Sequence, residues 1–295
     1  MRFAKGHGTG NDFLILPDPD DALALSADVV ARLCDRRFGL GADGILRAVR
    51  TGAGGWFMDY RNADGSVAEM CGNGVRVFAR YLLGHGLAAG PSLVVQTRAG
   101  ARQVWAEADG AITVDMGAAE VLGRSAAVLG GVECGGLEVS IGNPHLACLV
   151  DAPVAGFDLS APPVVDQARF PEGANVEVVR VVGAGELEMR VYERGSGVTL
   201  SCGTGAVAAA VAAAVGPAAG PDPVAGSAGL TGPDPADSLA DLAGAWAVDV
   251  PGGRLTVTLG ATTSLLTGPA VIVAEGELSD AWLAGRVVAA PSAIG

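Results

Sequence analysis

The chain has 295 residues, with 19 Lys and Arg against 32 Asp and Glu, a formal net charge of −13 and a pI near 4.6. That balance argues against a nucleic-acid partner, whose phosphates need clustered Lys and Arg, and favours a small-molecule substrate. Met1 to Phe13 contains no apolar leader, and the longest apolar run, Ala206 to Val215, falls short of the roughly 18 residues of a membrane span, so a cytoplasmic protein without membrane attachment is expected.

In chain order, a first helix is predicted over Asp28–Phe38, opening after Ser26 and stopping at Gly39. A second follows Cys71: Val75, Phe78, Ala79 and Leu82 fall at i, i+3, i+4 and i+7 before Gly84-His85-Gly86. Short Val-, Leu-, Ile- and Thr-rich runs between Gly and Pro then predict strands at Ser92–Thr97, Ala111–Met116, Glu138–Ile141, Ala147–Val150 and Glu186–Tyr192. A third helix follows Cys202, with Val207, Val211 and Val215 stepping by four towards Gly216-Pro217. Pro217 to Ala243, rich in Ala, Gly, Pro and Asp, reads as a surface insertion. Strands are predicted again at Arg254–Leu259 and Ala270–Ala274.

Two segments are versions of one another. Asn62 to Gly74 and Glu193 to Gly205 align without a gap, each with a cysteine nine residues in, 131 positions apart. Gly41–Gly44 and Glu172–Asn175 keep that offset, and Asn11 and Asn143 lie 132 apart. The register predicts a tandem duplication. Its halves would be residues 1–125, completed by a C-terminal strand near 268–280, and residues 126–267 with a loop insertion at 217–243.

The five cysteines, at 34, 71, 134, 148 and 202, are odd in number and lack CxxC or Cys/His spacing. Neither a disulfide framework nor a metal site is indicated. Cys34, Cys134 and Cys148 read as small buried hydrophobes, and His7 and His85 as ordinary histidines. Cys71 and Cys202 stand apart because the repeat pairs them. Each precedes Gly-x-Gly at a helix start, where free backbone N–H groups and the helix dipole favour an anion and lower a thiol's pKa towards neutrality. Two such thiols suit a reaction that takes a proton from one face of a carbon and returns one to the other. Racemisation is of that kind.

Phe3-Ala4-Lys5-Gly6-His7-Gly8-Thr9-Gly10-Asn11-Asp12-Phe13, Asn62-Ala63-Asp64-Gly65-Ser66, Met70-Cys71-Gly72-Asn73-Gly74, Gly142-Asn143-Pro144-His145, Phe170-Pro171-Glu172-Gly173-Ala174-Asn175-Val176, Tyr192-Glu193-Arg194-Gly195 and Ser201-Cys202-Gly203-Thr204-Gly205 occur in this order. This set resembles the diaminopimelate epimerase family over nearly the whole chain. The resemblance implies an α/β (α+β) fold of two pseudo-symmetric domains, each a curled mixed β-sheet around a central helix, with the site in the cleft between them. It implies an isomerase that needs no cofactor and interconverts LL- and meso-2,6-diaminopimelate. In that carry-over Cys202 takes the α-proton in the LL direction and Cys71 donates from the opposite face. His145 and Glu193 polarise the thiols. Asn11, Asn62, Asn143, Asn175, Glu193 and Arg194 hold the substrate with backbone groups of Gly72, Asn73, Gly203 and Thr204. Assembly as a homodimer is compatible with the sequence.

Val198 stands where family members commonly have Glu, and Gly44 where some relatives place a side chain that touches substrate. One competing reading is a proline racemase-like isomerase of the same fold, and another a non-catalytic thiol or small-ligand binding protein. The asparagines and Arg194 separate the first rival, because a distal amino-acid group needs polar anchors that proline does not.

Overall fold

The computed structural model describes residues 1–216 and 243–284. Its first half runs β1 (Arg2–Gly8), β2 (Asn11–Pro17), α1 (Ala27–Cys34), β3 (Gly44–Arg50), β4 (Trp56–Asn62), α2 (Gly72–Gly84), β5 (Ser92–Thr97), β6 (Gly100–Ala106) and β7 (Ile112–Gly117). The second begins with β8 (Glu120–Leu129), β9 (Val132–Ser140), β10 (Pro144–Leu149), β11 (Val164–Val165), β12 (Asn175–Gly183), β13 (Glu186–Glu193), β14 (Gly197–Thr199) and α3 (Gly203–Val215). It continues with β15 (Gly244–Val250), β16 (Gly253–Leu259), β17 (Ser264–Gly268) and β18 (Val271–Glu277). All but one residue of the expected insertion at 217–243 lies outside the described residues.

The strand pairings repeat. In the order β18, β1, β2, β3, β4, β5, β6, β7, successive neighbours are antiparallel, antiparallel, parallel, antiparallel, parallel, antiparallel and antiparallel. The order β8, β9, β10, β12, β13, β15, β16, β17 gives the same series. The two runs join where β7 pairs antiparallel with β17. Register is kept too: Phe13 lies opposite Gly44, and its repeat counterpart His145 lies opposite Asn175. The mixed sheets and few helices match the α+β class expected from the sequence.

Each run of strands curls around one helix. α2 buries Val75, Val77, Phe78, Ala79 and Leu82 against the first run. α3 is apolar on every side, as a fully enclosed helix must be, and Ala206 to Ala212 are all buried. α1 is shorter than expected, ending at Cys34 instead of Phe38. The Asp35 carboxylate accepts the N–H groups of Arg37 and Phe38, while Leu40 and Gly41 N–H turn back to the Leu33 carbonyl, so the chain leaves the helix there.

Candidate active site

Cys71 and Cys202 are the N-cap residues of α2 and α3, with extended backbones at φ −140°, ψ 120° and φ −118°, ψ 119°. Each sulfur accepts the N–H of the third residue on, Gly74 or Gly205, at 3.4 Å, the position an N-cap oxygen would take. The two helix starts meet at glycines: a Cβ on Gly203 would touch the Gly72 Cα at 3.4 Å, and the Leu266 methyl, 2.9 Å away, leaves no room for one. Asn73 spans the junction. Its Nδ2 donates to the Ser201 carbonyl at 2.9 Å and to Asn11 Oδ1 at 3.3 Å, and Asn11 Oδ1 also accepts the Cys71 thiol at 3.6 Å.

Around Cys202 the side chains form a relay. Buried Glu177 Oε1 lies 2.7 Å from Nδ1 of buried His145, and His145 Nε2 lies 3.0 Å from Asn143 Oδ1. Asn143 Nδ2 donates to Thr204 Oγ1 at 3.4 Å, and that hydroxyl lies 3.4 Å from Cys202 Sγ. Glu193 receives the Thr199 hydroxyl, and its charge acts on Cys202. At the repeat counterparts of His145 and Glu177 the first half carries Phe13 and Leu46, both fully buried. The duplicated scaffold is thus polar beneath one thiol and apolar at the same two positions beneath the other.

Two adjoining cavities open here, both lined by Arg194. One, of about 580 Å³, is lined by Asn11, Tyr60, Asn62, Cys71 and Glu193; the other, of about 750 Å³, by Met70, Asn143 and Thr204. Cys202 lines neither and is 6% exposed, so the thiols differ in access. Arg194 reaches Glu172 at 3.4 Å, while its main-chain N–H donates to Asn175 Oδ1 at 3.0 Å. Asn175 Nδ2 donates to the Pro144 carbonyl, and Asn62 Nδ2 to the Ser66 hydroxyl. The structure therefore gathers Asn11, Asn73, Asn143, Thr204, His145 and Glu193 about the sulfurs, while Asn62 braces its own loop and Asn175 ties the start of β12 to β10 and to the main chain of Arg194. At Gly44 a Cβ would lie 2.6 Å from the Arg61 carbonyl and 2.9 Å from the Tyr60 ring, so backbone and ring together occupy the space of any side chain there. Val198 is half exposed and lines the cavity beside Cys71.

Burial overturns one expectation. The Cys71 thiol is pushed up to about 11 by burial, with Glu193 adding to the rise and the Gly74 and Asn73 N–H groups and Arg76 opposing it. Cys202 goes well above the ordinary thiol range, first through burial and then through Glu193 and Glu177. The helix starts do favour the thiolates, but desolvation costs more than the N–H groups return. Burial likewise raises Glu193, with Glu177 contributing and the Thr199 hydroxyl opposing. Among the described residues no group of three or more His, Cys, Asp or Glu is placed to hold a metal ion.

The sequence profile described as diaminopimelate epimerase matches residues 3–122 and 137–223. The diaminopimelate epimerase of Thermobifida fusca is 56% identical over 292 residues, covering 94% of this chain and 98% of the relative. That of Rhodococcus opacus is 48% identical, covering 97% and 99%. The chain belongs to the diaminopimelate epimerase family. Solved structures extend the fold further. A PhzF-family phenazine biosynthesis protein of Bacillus anthracis superposes with a TM-score of 0.67 at 16% identity, covering 95% of this chain and 99% of that one. A probable proline racemase of Agrobacterium radiobacter gives 0.60 at 12% identity, covering 95% and 93%. At those identities the likeness concerns the fold alone.

For this family member, reading motifs missed Glu177 and Arg76, both fully buried. Glu177 sits in a Val-rich strand and belongs to none of the Gly-centred motifs. The signal lay in the repeat register: Glu177 aligns with Leu46, and Arg76 with Val207, 131 positions away. A charge aligned with an aliphatic residue in an otherwise matched repeat marks where the halves have diverged. Among the described residues no helix is long and apolar enough to cross a membrane.

Proposed function

We propose that this chain interconverts LL- and meso-2,6-diaminopimelate through Cys71 and Cys202 acting from opposite faces of the α-carbon. The observation that carries the reading is the pair of thiols capping two helix starts that meet at Gly72 and Gly203, in a chain whose relatives bear that activity. In the LL direction Cys202 removes the α-proton and Cys71 delivers one; in reverse the roles exchange. The carboxylate beside the reacting carbon gains charge as the proton leaves. Backbone N–H groups of Gly72, Asn73, Gly203 and Thr204 at the helix starts are suited to receive it, and one such donor is typically worth about 2.7–4 kcal/mol.

His145 and Glu193 tune the thiol of Cys202, His145 through Asn143 and Thr204 and Glu193 through its charge. Asn11, Asn62, Asn143, Asn175 and Arg194 are assigned to the substrate's amino and carboxylate groups, which asparagine meets with donor and acceptor and arginine with its fork. This number of polar anchors favours a substrate with a distal amino-acid group over proline. We divide the chain into domains at 1–125 with 268–280 and at 126–267, and we place the enzyme in the cytoplasm; a homodimer is compatible with the reading. Incubating purified protein with LL-diaminopimelate and resolving the stereoisomers tests the proposal. Formation of the meso form is expected, and recovery of unchanged LL isomer would overturn it.

A further inference from the structure

Arg76 lies on α2, five residues past Cys71, and its side chain is fully buried. Its contacts are few. One terminal nitrogen donates to the Thr9 hydroxyl at 3.2 Å and Nε to the Pro269 carbonyl at 3.5 Å, while the other terminal nitrogen has no partner. No carboxylate among the described residues forms an ion pair with it. The guanidinium packs against two glycines: a Cβ on Gly8 would stand a tight 3.1 Å from a terminal nitrogen, and one on Gly268 would make ordinary contact with Cζ at 3.4 Å.

A buried cation without a counter-ion is expensive, and an apolar residue of similar volume usually serves stability as well or better. The second repeat has taken that option with Val207 at the matching position, also fully buried. The first half keeps the charge, and no permanent anion among the described residues answers it. Cys71 supplies one whenever its thiol ionises. Tyr60 on β4 and Glu193 on β13 also face Cys71, and their charge when ionised is negative, which opposes a thiolate; the cavity beside it carries the cations Arg36 and Arg194 and the carboxylates Asp43 and Asp64 as well. Cys202 is faced by Glu193, Glu177 and Tyr60, with His145 paired to Glu177.

We propose that Arg76 is a positioning residue whose buried positive charge makes Cys71, and not Cys202, the thiol that gives up its proton between turnovers. Of the two sulfurs, the one that ionises first in the free enzyme then lies beneath a single face of the substrate carbon. Even after burial brings Arg76 down to about 10, it remains a cation at neutral pH. The ordering of the two sulfurs, Cys71 at about 11 and Cys202 further displaced, runs the same way.

The role rests on the reading of Cys71 as an acid–base group of the epimerisation, but its test reads the thiol itself. The full chain is treated with iodoacetamide at a series of pH values, and alkylation of Cys71 is timed by mass spectrometry in the parent, Arg76→Met and Arg76→Lys proteins. Removing the charge is expected to slow alkylation of Cys71 about tenfold at pH 8, where Arg76 is a cation. Lys is expected to restore most of the difference. Greater exposure of Cys71 explains which sulfur reacts first, but it does not separate Lys from Met at position 76. If the Met variant does not fold, Arg76→Gln, which keeps a donor for Thr9 without the charge, is read in the same way. An unchanged Cys71 rate at pH 8 in a folded Met or Gln variant overturns the proposal, as does a Lys variant slowed as far as they are. A slowed Cys71 in a protein that does not epimerise would leave Arg76's effect standing and remove the reaction assigned above.

Discussion

The side-chain amide of Asn73 donates to the main-chain carbonyl of Ser201 at 2.9 Å, so the residue two places past one thiol holds the residue just before the other. Truncation to Asn73→Ala would leave that buried carbonyl unpaired, at a cost of about 1–3 kcal/mol. Because the bond sets the relative position of the two sulfurs, most of the loss should fall on kcat, roughly ten- to a hundredfold, with KM changed much less. Steady-state kinetics on the folded variant checks this, and a kcat close to the parent's would show that the caps are held together by other contacts.

Equivalent glycines in the two repeats should respond unequally to substitution. A Cβ at Gly205 would sit 2.6 Å from the Glu177 carboxylate, whereas one at Gly74 would meet the Leu46 methyl at 3.2 Å. Gly205→Ala must push Glu177 away from His145, disturbing the relay to Cys202. Gly74→Ala asks only for a small shift of an aliphatic side chain. The expected result is a loss of turnover in Gly205→Ala at least about tenfold larger than in Gly74→Ala. Equal losses would mean that the Glu177–His145 pair does not serve the thiol.

Serine at either sulfur position separates two bases from one that swings between faces. In D2O the parent enzyme should place solvent deuterium chiefly in the inverted product during early turnover. In Cys71→Ser or Cys202→Ser, net epimerisation should fall by orders of magnitude, since a hydroxyl is a far weaker acid than a thiol. The surviving thiolate can still exchange the α-proton on its own side. The two variants should therefore label different isomers, which NMR of the recovered amino acids will distinguish.

Glu193 carries a pH signature in stability. Burial raises its carboxyl above the usual range, so between the ordinary and the raised value the folded state binds more protons than the unfolded one. Stability is then fully present below the unfolded value and is lost as pH rises through the folded one. Glu193→Gln removes this loss while leaving an acceptor for Thr199. Denaturant titrations across pH 4–8 should show a flatter profile for the variant and greater stability at the upper end. A variant less stable than the parent at pH 8 would contradict the assignment.

The parts of the fold that were legible in the sequence are those with local causes. Ser26, Cys71 and Cys202 each announce a helix because an N-cap side chain must face an N–H three residues on, and all three do. β5 coincides with the run Ser92–Thr97, and β13 extends Glu186–Tyr192 by one residue. What local pattern could not supply was the environment of the thiols. A helix start promises an acidic cysteine, and only the packed structure brings the desolvation and the neighbouring Glu177 and Glu193 that reverse it. Arg76 was illegible for a similar reason. On α2 it occupies a stretch rich in apolar residues and reads as one polar position among several, until Gly8 and Gly268 from distant strands and Thr9 from the turn after β1 arrive to enclose it.

The pairing of β18 with β1 has a bearing on how the chain comes off the ribosome. Arg2 is opposite Glu277, and β7 is likewise opposite β17, so both outer strands of the first half find their neighbours only after almost everything described here has been synthesised. Until then β1 and β7 present open edges, the exposed backbone that invites pairing with other nascent chains. Contacts of such sequence separation make for slow closure. An N-terminal fragment that ends before β17 should therefore be held by chaperones or aggregate, and the last strands to emerge are the ones that release it.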